Sequence, residues 1–123
     1  MSSPLGPTNQ TGYPSGTTPT VAATAAAGTT ATATVQAGSL DQRGAISVSS
    51  AGTGQAVGAV ATVTLAKGVS VQGIPQVMIT ELTGPSSAVN PFVTGVTPNS
   101  FQIGVNTALT AGTTYQFAYT VIP

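Results

Sequence analysis

Tyr115-Gln116-Phe117-Ala118-Tyr119-Thr120-Val121 puts every large side chain at alternate positions, and this two-residue period recurs from Asp41 to the end of the chain. Alternation sends successive side chains to opposite faces of a strand, so these segments can bury one face only by pairing into a sheet. The same period marks Ala45-Ile46-Ser47-Val48 and the longer run from Val57 to Leu65, where Ala61, Val63 and Leu65 share a face opposite Thr62 and Thr64. Pro75 opens a strand over Gln76 to Leu82, and Phe92-Val93-Thr94-Gly95-Val96 follows the polar Thr83-Gly84-Pro85-Ser86-Ser87 loop. A Thr97-Pro98-Asn99-Ser100 turn then leads into Phe101-Gln102-Ile103-Gly104-Val105. No segment carries a 3.6-residue apolar stripe. Short strands separated by turn signals predict an all-β fold, an antiparallel β-sandwich of six or seven strands. Its expected core is Val63, Val77, Ile79, Phe92, Phe101, Ile103, Tyr115, Phe117 and Tyr119. Five of the six aromatic residues lie between Phe92 and Tyr119. A sugar-stacking platform is the alternative use for such rings, but strict alternation directs them inward.

The residues before Asp41 have another character. None is charged, and Pro4, Pro7, Pro14 and Pro19 punctuate the first twenty. Proline excludes helix interiors and central strands, and the isolated Leu5, Tyr13, Val21 and Val35 offer little area to bury. Ala22 to Ala27 has helix propensity but starts after a β-branched valine and stops at Gly28-Thr29-Thr30. Thr30-Ala31-Thr32-Ala33-Thr34-Val35 alternates and reads as an edge strand, or as one lent to a neighbour. The expected organisation is an extended Pro/Thr/Ala-rich arm over residues 1–39 and a sandwich domain over 40–123.

Charge then limits the chemistry. Two basic and two acidic side chains make up 3% of the 123 residues, against about 25% in an average protein. There is no Cys or His, so thiolate, imidazole and disulfide chemistry are absent and no metal or cofactor site is expected. Two cations cannot form a nucleic-acid footprint, and no apolar run reaches the roughly 20 residues of a membrane-spanning helix. The N-terminal Met1-Ser2-Ser3-Pro4 lacks the basic start and apolar stretch of a secretory signal. The expectation is a non-enzymatic module that contacts neither nucleic acid nor membrane. Gly52-Thr53-Gly54-Gln55-Ala56-Val57-Gly58 has the wrong spacing for a dinucleotide loop and is read as a flexible connection. Asp41 and Arg43 stand at the arm–domain junction, either as a solvated pair or as an intersubunit salt bridge. Lys67 and Glu81 are read as solubilising loop or edge charges. A small domain with zero net charge and Thr- and Val-rich edges is expected to be covered by other copies of itself.

From Leu40 to Pro123 the pattern is a valine-rich strand (Ala61-Thr62-Val63-Thr64-Leu65), then a Pro–hydrophobic strand (Ile74-Pro75-Gln76-Val77-Met78-Ile79-Thr80). A turn into Phe101-Gln102-Ile103 and an aromatic-alternating closing strand complete it. This pattern resembles the small trimeric β-sandwich of tailed-bacteriophage head-decoration proteins and fibre tips, and distantly the H-type lectin sandwich. The resemblance covers about two-thirds of the chain and excludes the arm. It implies a jelly-roll or H-type-lectin-like sandwich that forms a homotrimer on the virion surface after synthesis in the host cytoplasm. On that view the partners are other copies of the chain and the major capsid protein. The arm would lie on the capsid lattice through Leu5, Tyr13 and Val21, cementing the head. The alternatives are a tail-fibre tip or adhesin binding a host glycan, and another structural component of the tail.

Overall fold

A computed structural model describes residues 18–66, 75–83 and 89–122. It contains eight strands: β1 (Thr20–Ala23), β2 (Thr32–Val35), β3 (Arg43–Ser49), β4 (Gly58–Thr64), β5 (Gln76–Thr83), β6 (Pro91–Thr94), β7 (Ser100–Val105) and β8 (Thr114–Ile122). They form two four-stranded sheets in the orders β1-β4-β7-β6 and β2-β3-β8-β5, with every pairing antiparallel. The only helical element described is a 3-10 turn at Ala25–Ala27.

All six strands anticipated beyond Asp41 are present, because each has a face to bury. Ile46 and Val48 of β3 and Val60, Ala61 and Val63 of β4 are buried, as are Phe101, Ile103 and Val105 of β7. β8 supplies Tyr115, Phe117, Tyr119 and Val121, whose alternate neighbours lie half-buried or exposed on the opposite face. Phe101 and Tyr119 meet across the two sheets with ring centroids 5.6 Å apart and planes tilted by 52°. Fully burying one such side chain contributes about 2–3 kcal/mol. Val77 and Ile79 of β5 are partly buried against this core.

Two expectations are corrected. Phe92 is not a core residue. It pairs with Gly104 on β7, whose neighbours Ile103 and Val105 face inward, so Phe92 and Gly104 share the outer face. The ring lies over the glycine, where an added Cβ would stand 2.4 Å from its tip. An aromatic on an edge strand thereby shields the bare backbone of its neighbour.

The second correction concerns the arm. Residues 18–39 belong to the sandwich: β1 edges one sheet against β4, and β2 edges the other against β3. The short alternating segments Thr20-Val21-Ala22-Ala23 and Thr32-Ala33-Thr34-Val35 bury too little alone but complete sheets that already exist. Between them the 3-10 turn carries the chain from one sheet to the other, and Ala27 is fully buried. Residues 1–17 lie outside the described residues. Among the described strands the jelly-roll order is not seen either. A jelly roll sets its first and last strands side by side, whereas β1 and β8 occupy opposite sheets.

Candidate functional site: a buried polar cluster and two outer faces with little charge

Of the two charges at the junction, Asp41 does not stand where a solvated pair would put it. Asp41 is fully buried, and its carboxylate accepts a hydrogen bond from the Ala66 amide at 2.8 Å. This ties the turn before β3 to Ala66, two residues beyond β4. Around it, Ser39 Oγ accepts from the Ala45 amide at 3.1 Å, and Gln42 carbonyl accepts from the Val121 amide at 2.8 Å. The Tyr119 hydroxyl donates to the Leu40 carbonyl, which also accepts from the Arg43 amide at 3.2 Å. Burial, and secondarily the nearby Asp41 carboxylate, push the Tyr119 phenol well above its ordinary range. Tyr119 is therefore held as a neutral hydrogen-bond donor near neutral pH.

This corrects the reading of Asp41 as a solvated or intersubunit partner of Arg43: its carboxylate points into its own subunit. Arg43 is exposed on β3, opposite Thr120. Glu81 is likewise not merely solubilising; its Oε1 accepts from the Val89 amide at 3.2 Å. Lys67 lies outside the described residues, as do Leu5 and Tyr13. Val21 is described, and it is no free anchor, since it packs against the core.

The Gly52–Gly58 loop is engaged rather than free. Thr29 and Thr30 amides donate to the Thr53 and Ala51 carbonyls, and the Ala56 amide donates to the Ala26 carbonyl. Buried Ser50 donates from Oγ to the Ala27 carbonyl at 2.6 Å and accepts from Gln55 Nε2 at 3.1 Å. The loop clasps the turn between β1 and β2, so these main-chain groups are committed to the fold. Among the described residues no three of His, Cys, Asp and Glu come together as metal ligands would.

What remains available is surface. On one outer face, Thr20 pairs with Thr64, Thr64 with Ser100, Thr62 with Gln102 and Gln102 with Thr94. Gln102 Nε2 donates to Thr62 Oγ1 at 3.1 Å. On the other face, Thr34, Ser47 and Gln116 form a row, beside Ala45, Ala118 and Thr80. Ser49 and Thr114 hydroxyls are hydrogen-bonded at 2.9 Å. Met78, Leu82 and Ile122 stand exposed on β5 and β8. Comparison with family models, curated proteins and solved structures finds no match. The chemistry of the site is thus read from this chain alone: short hydroxyl and amide side chains, a few exposed apolar ones, and Arg43 as the exposed charge among the described residues.

Sequence reasoning missed the Asp41–Tyr119 cluster. The signal available was that the first charge of the chain falls just before a strand destined for the centre of a sheet, where a carboxylate must find buried donors.

Proposed function

We propose that the chain is a non-enzymatic structural protein of a tailed-bacteriophage virion, a decoration or cement protein on the head. The observation that carries this reading is the use made of charge. Asp41 and Glu81 accept main-chain hydrogen bonds within the fold, leaving outer faces of Thr, Ser, Ala and Gln on which Arg43 is the one exposed charge among the described residues. The outer face of β1, β4, β7 and β6 can be laid against protein without desolvating an ion, a penalty of several kcal/mol when the ion is unpaired, and the other face can be covered likewise away from Arg43. Near-zero net charge likewise favours association over dispersal. The resemblance of residues 40–123 to head-decoration domains supplies the location and the homotrimeric assembly.

On this reading the capsid contact falls to residues 1–17 and the sheet surfaces, since Val21 packs against the core. Leu5 and Tyr13 are the apolar side chains available to that N-terminal segment for contact with the major capsid protein. Several weak contacts per oligomer would add through avidity if they engage together. Quantitative mass spectrometry of purified virions tests the reading. A copy number comparable with that of the major capsid protein supports it. A far lower number favours the fibre-tip or tail-component alternatives, and absence from the particle ends the proposal.

A further inference from the structure

Among the described residues each sheet ends in two edge strands, β1 and β6 in one and β2 and β5 in the other. Three edges carry features that discourage a further strand. Pro19 immediately precedes β1, Pro91 opens β6, and β5 follows Pro75 and is interrupted by a register shift between Glu81 and Thr83. Proline offers no N–H, and a bulge turns an edge away from a partner. β2 has no such device. It contains no proline and no charge, and its register with β3 runs unbroken from Thr32–Ser49 to Val35–Ile46.

Hydrogen bonds flanking β2 fix the direction of its main-chain groups. The Thr30 amide donates to the Ala51 carbonyl at 3.3 Å, and the Gln36 amide donates to the Ala45 carbonyl at 3.0 Å. Both pairs continue the β2–β3 register, so Thr32 and Thr34 bond to β3. Ala33 and Val35 therefore turn their N–H and C=O groups outward in the plane of the sheet. Their side chains pack against the core, while Thr32 and Thr34 are exposed.

We propose that this edge binds the same edge of a second copy, antiparallel about a two-fold axis at Thr34, joining two four-stranded sheets into one. In this register the Ala33 N–H donates to the Val35 C=O of the second copy and the Val35 N–H to its Ala33 C=O, with the symmetric pair repeated. Thr34 faces its own equivalent, a favourable cross-strand pair with no charge to repel. The strand is thus self-complementary in both main-chain pattern and side chains. The N-terminal segment 1–17 is a poorer occupant, since Pro4, Pro7 and Pro14 remove donors from it. Four main-chain bonds make a weak contact, so association rises with concentration. The inference goes beyond the virion reading and is measured on the isolated protein, so its failure leaves that reading standing. A two-fold contact here is compatible with a trimer formed through another surface, and would link trimers to one another.

Sedimentation velocity and native mass spectrometry of the full chain test this with Thr34→Lys, Thr34→Glu and their mixture. Residue 34 is exposed, and circular dichroism checks that each variant keeps the fold. Each variant alone is expected to self-associate about fivefold more weakly than the wild type, because like charges oppose each other across the axis. The equimolar mixture is expected to recover the association as a heterodimer. Concentration-dependent protection of the Ala33 and Val35 amides from hydrogen exchange is the expected companion result. Three outcomes overturn the proposal: a wild type that stays monomeric at millimolar concentration, variants that associate as the wild type does, or a mixture no more associated than its components.

Discussion

Tyr119 shows how one side chain can set a limit on the conditions a fold tolerates. Its phenol is buried against Leu40 and close to the Asp41 carboxylate, so its folded-state pKa lies above the unfolded value of about 10. Folding therefore retains a proton that the unfolded chain gives up. The associated stability is intact below about pH 10 and is lost as pH rises from there toward the folded-state value. Urea denaturation at rising alkaline pH should show a falling midpoint, and Tyr119→Phe should fall less steeply while costing about 1 kcal/mol at neutral pH. Gly28 sets a steric limit instead. Its φ is +118°, and an added Cβ would stand 2.0 Å from the Ala51 carbonyl oxygen. Gly28→Ala should cost about 3 kcal/mol or more in chemical denaturation. Gly38→Ala, at φ +88° with nothing within 4 Å, should cost only the backbone term of about 1–2 kcal/mol.

At the scale of elements, β1 and β2 decide where the folding unit begins. Removing residues 1–40 deletes both strands and should abolish cooperative unfolding; calorimetry of the truncation checks this. The six later strands were legible because each repeats large residues at every second position, as Tyr115, Phe117, Tyr119 and Val121 do. β2 was legible as an edge strand from its Thr–Ala alternation, yet its membership of the domain was not. Four residues of that kind are stable only against a ready-made neighbour, and a partner such as β3 in an exact register is information held by the whole sheet. Phe92 failed for a related reason. Alternation states that residues 92 and 94 share a face, but which face is set by β6 pairing with Gly104. Asp41 was misplaced because composition counts a carboxylate as solvated until a donor such as the Ala66 amide is known.

For the whole molecule, the exposed chemistry predicts assembly that is indifferent to salt. With Arg43 as the exposed charge among the described residues, screening has little to act on. Sedimentation profiles should therefore change little between about 0.05 and 0.5 M salt, well below and above the physiological range; a large shift would show that charged contacts govern association. The strand orders have a further consequence, for synthesis. In one sheet β7 joins β4 to β6, and in the other β8 joins β3 to β5, so both connecting strands lie in the last part of the chain. A ribosome delivering this polypeptide releases six strands before either sheet can become continuous. Until then the emerging chain holds only the β2–β3 hairpin and the β1–β4 pair, with the valines of β4 and β5 lacking their final neighbours. Pairings so distant in sequence close slowly and leave sticky intermediates exposed. The nascent chain should therefore depend on holdase chaperones up to its final strand, and a ribosome stalled before Thr114 should carry an unfolded, protease-sensitive product.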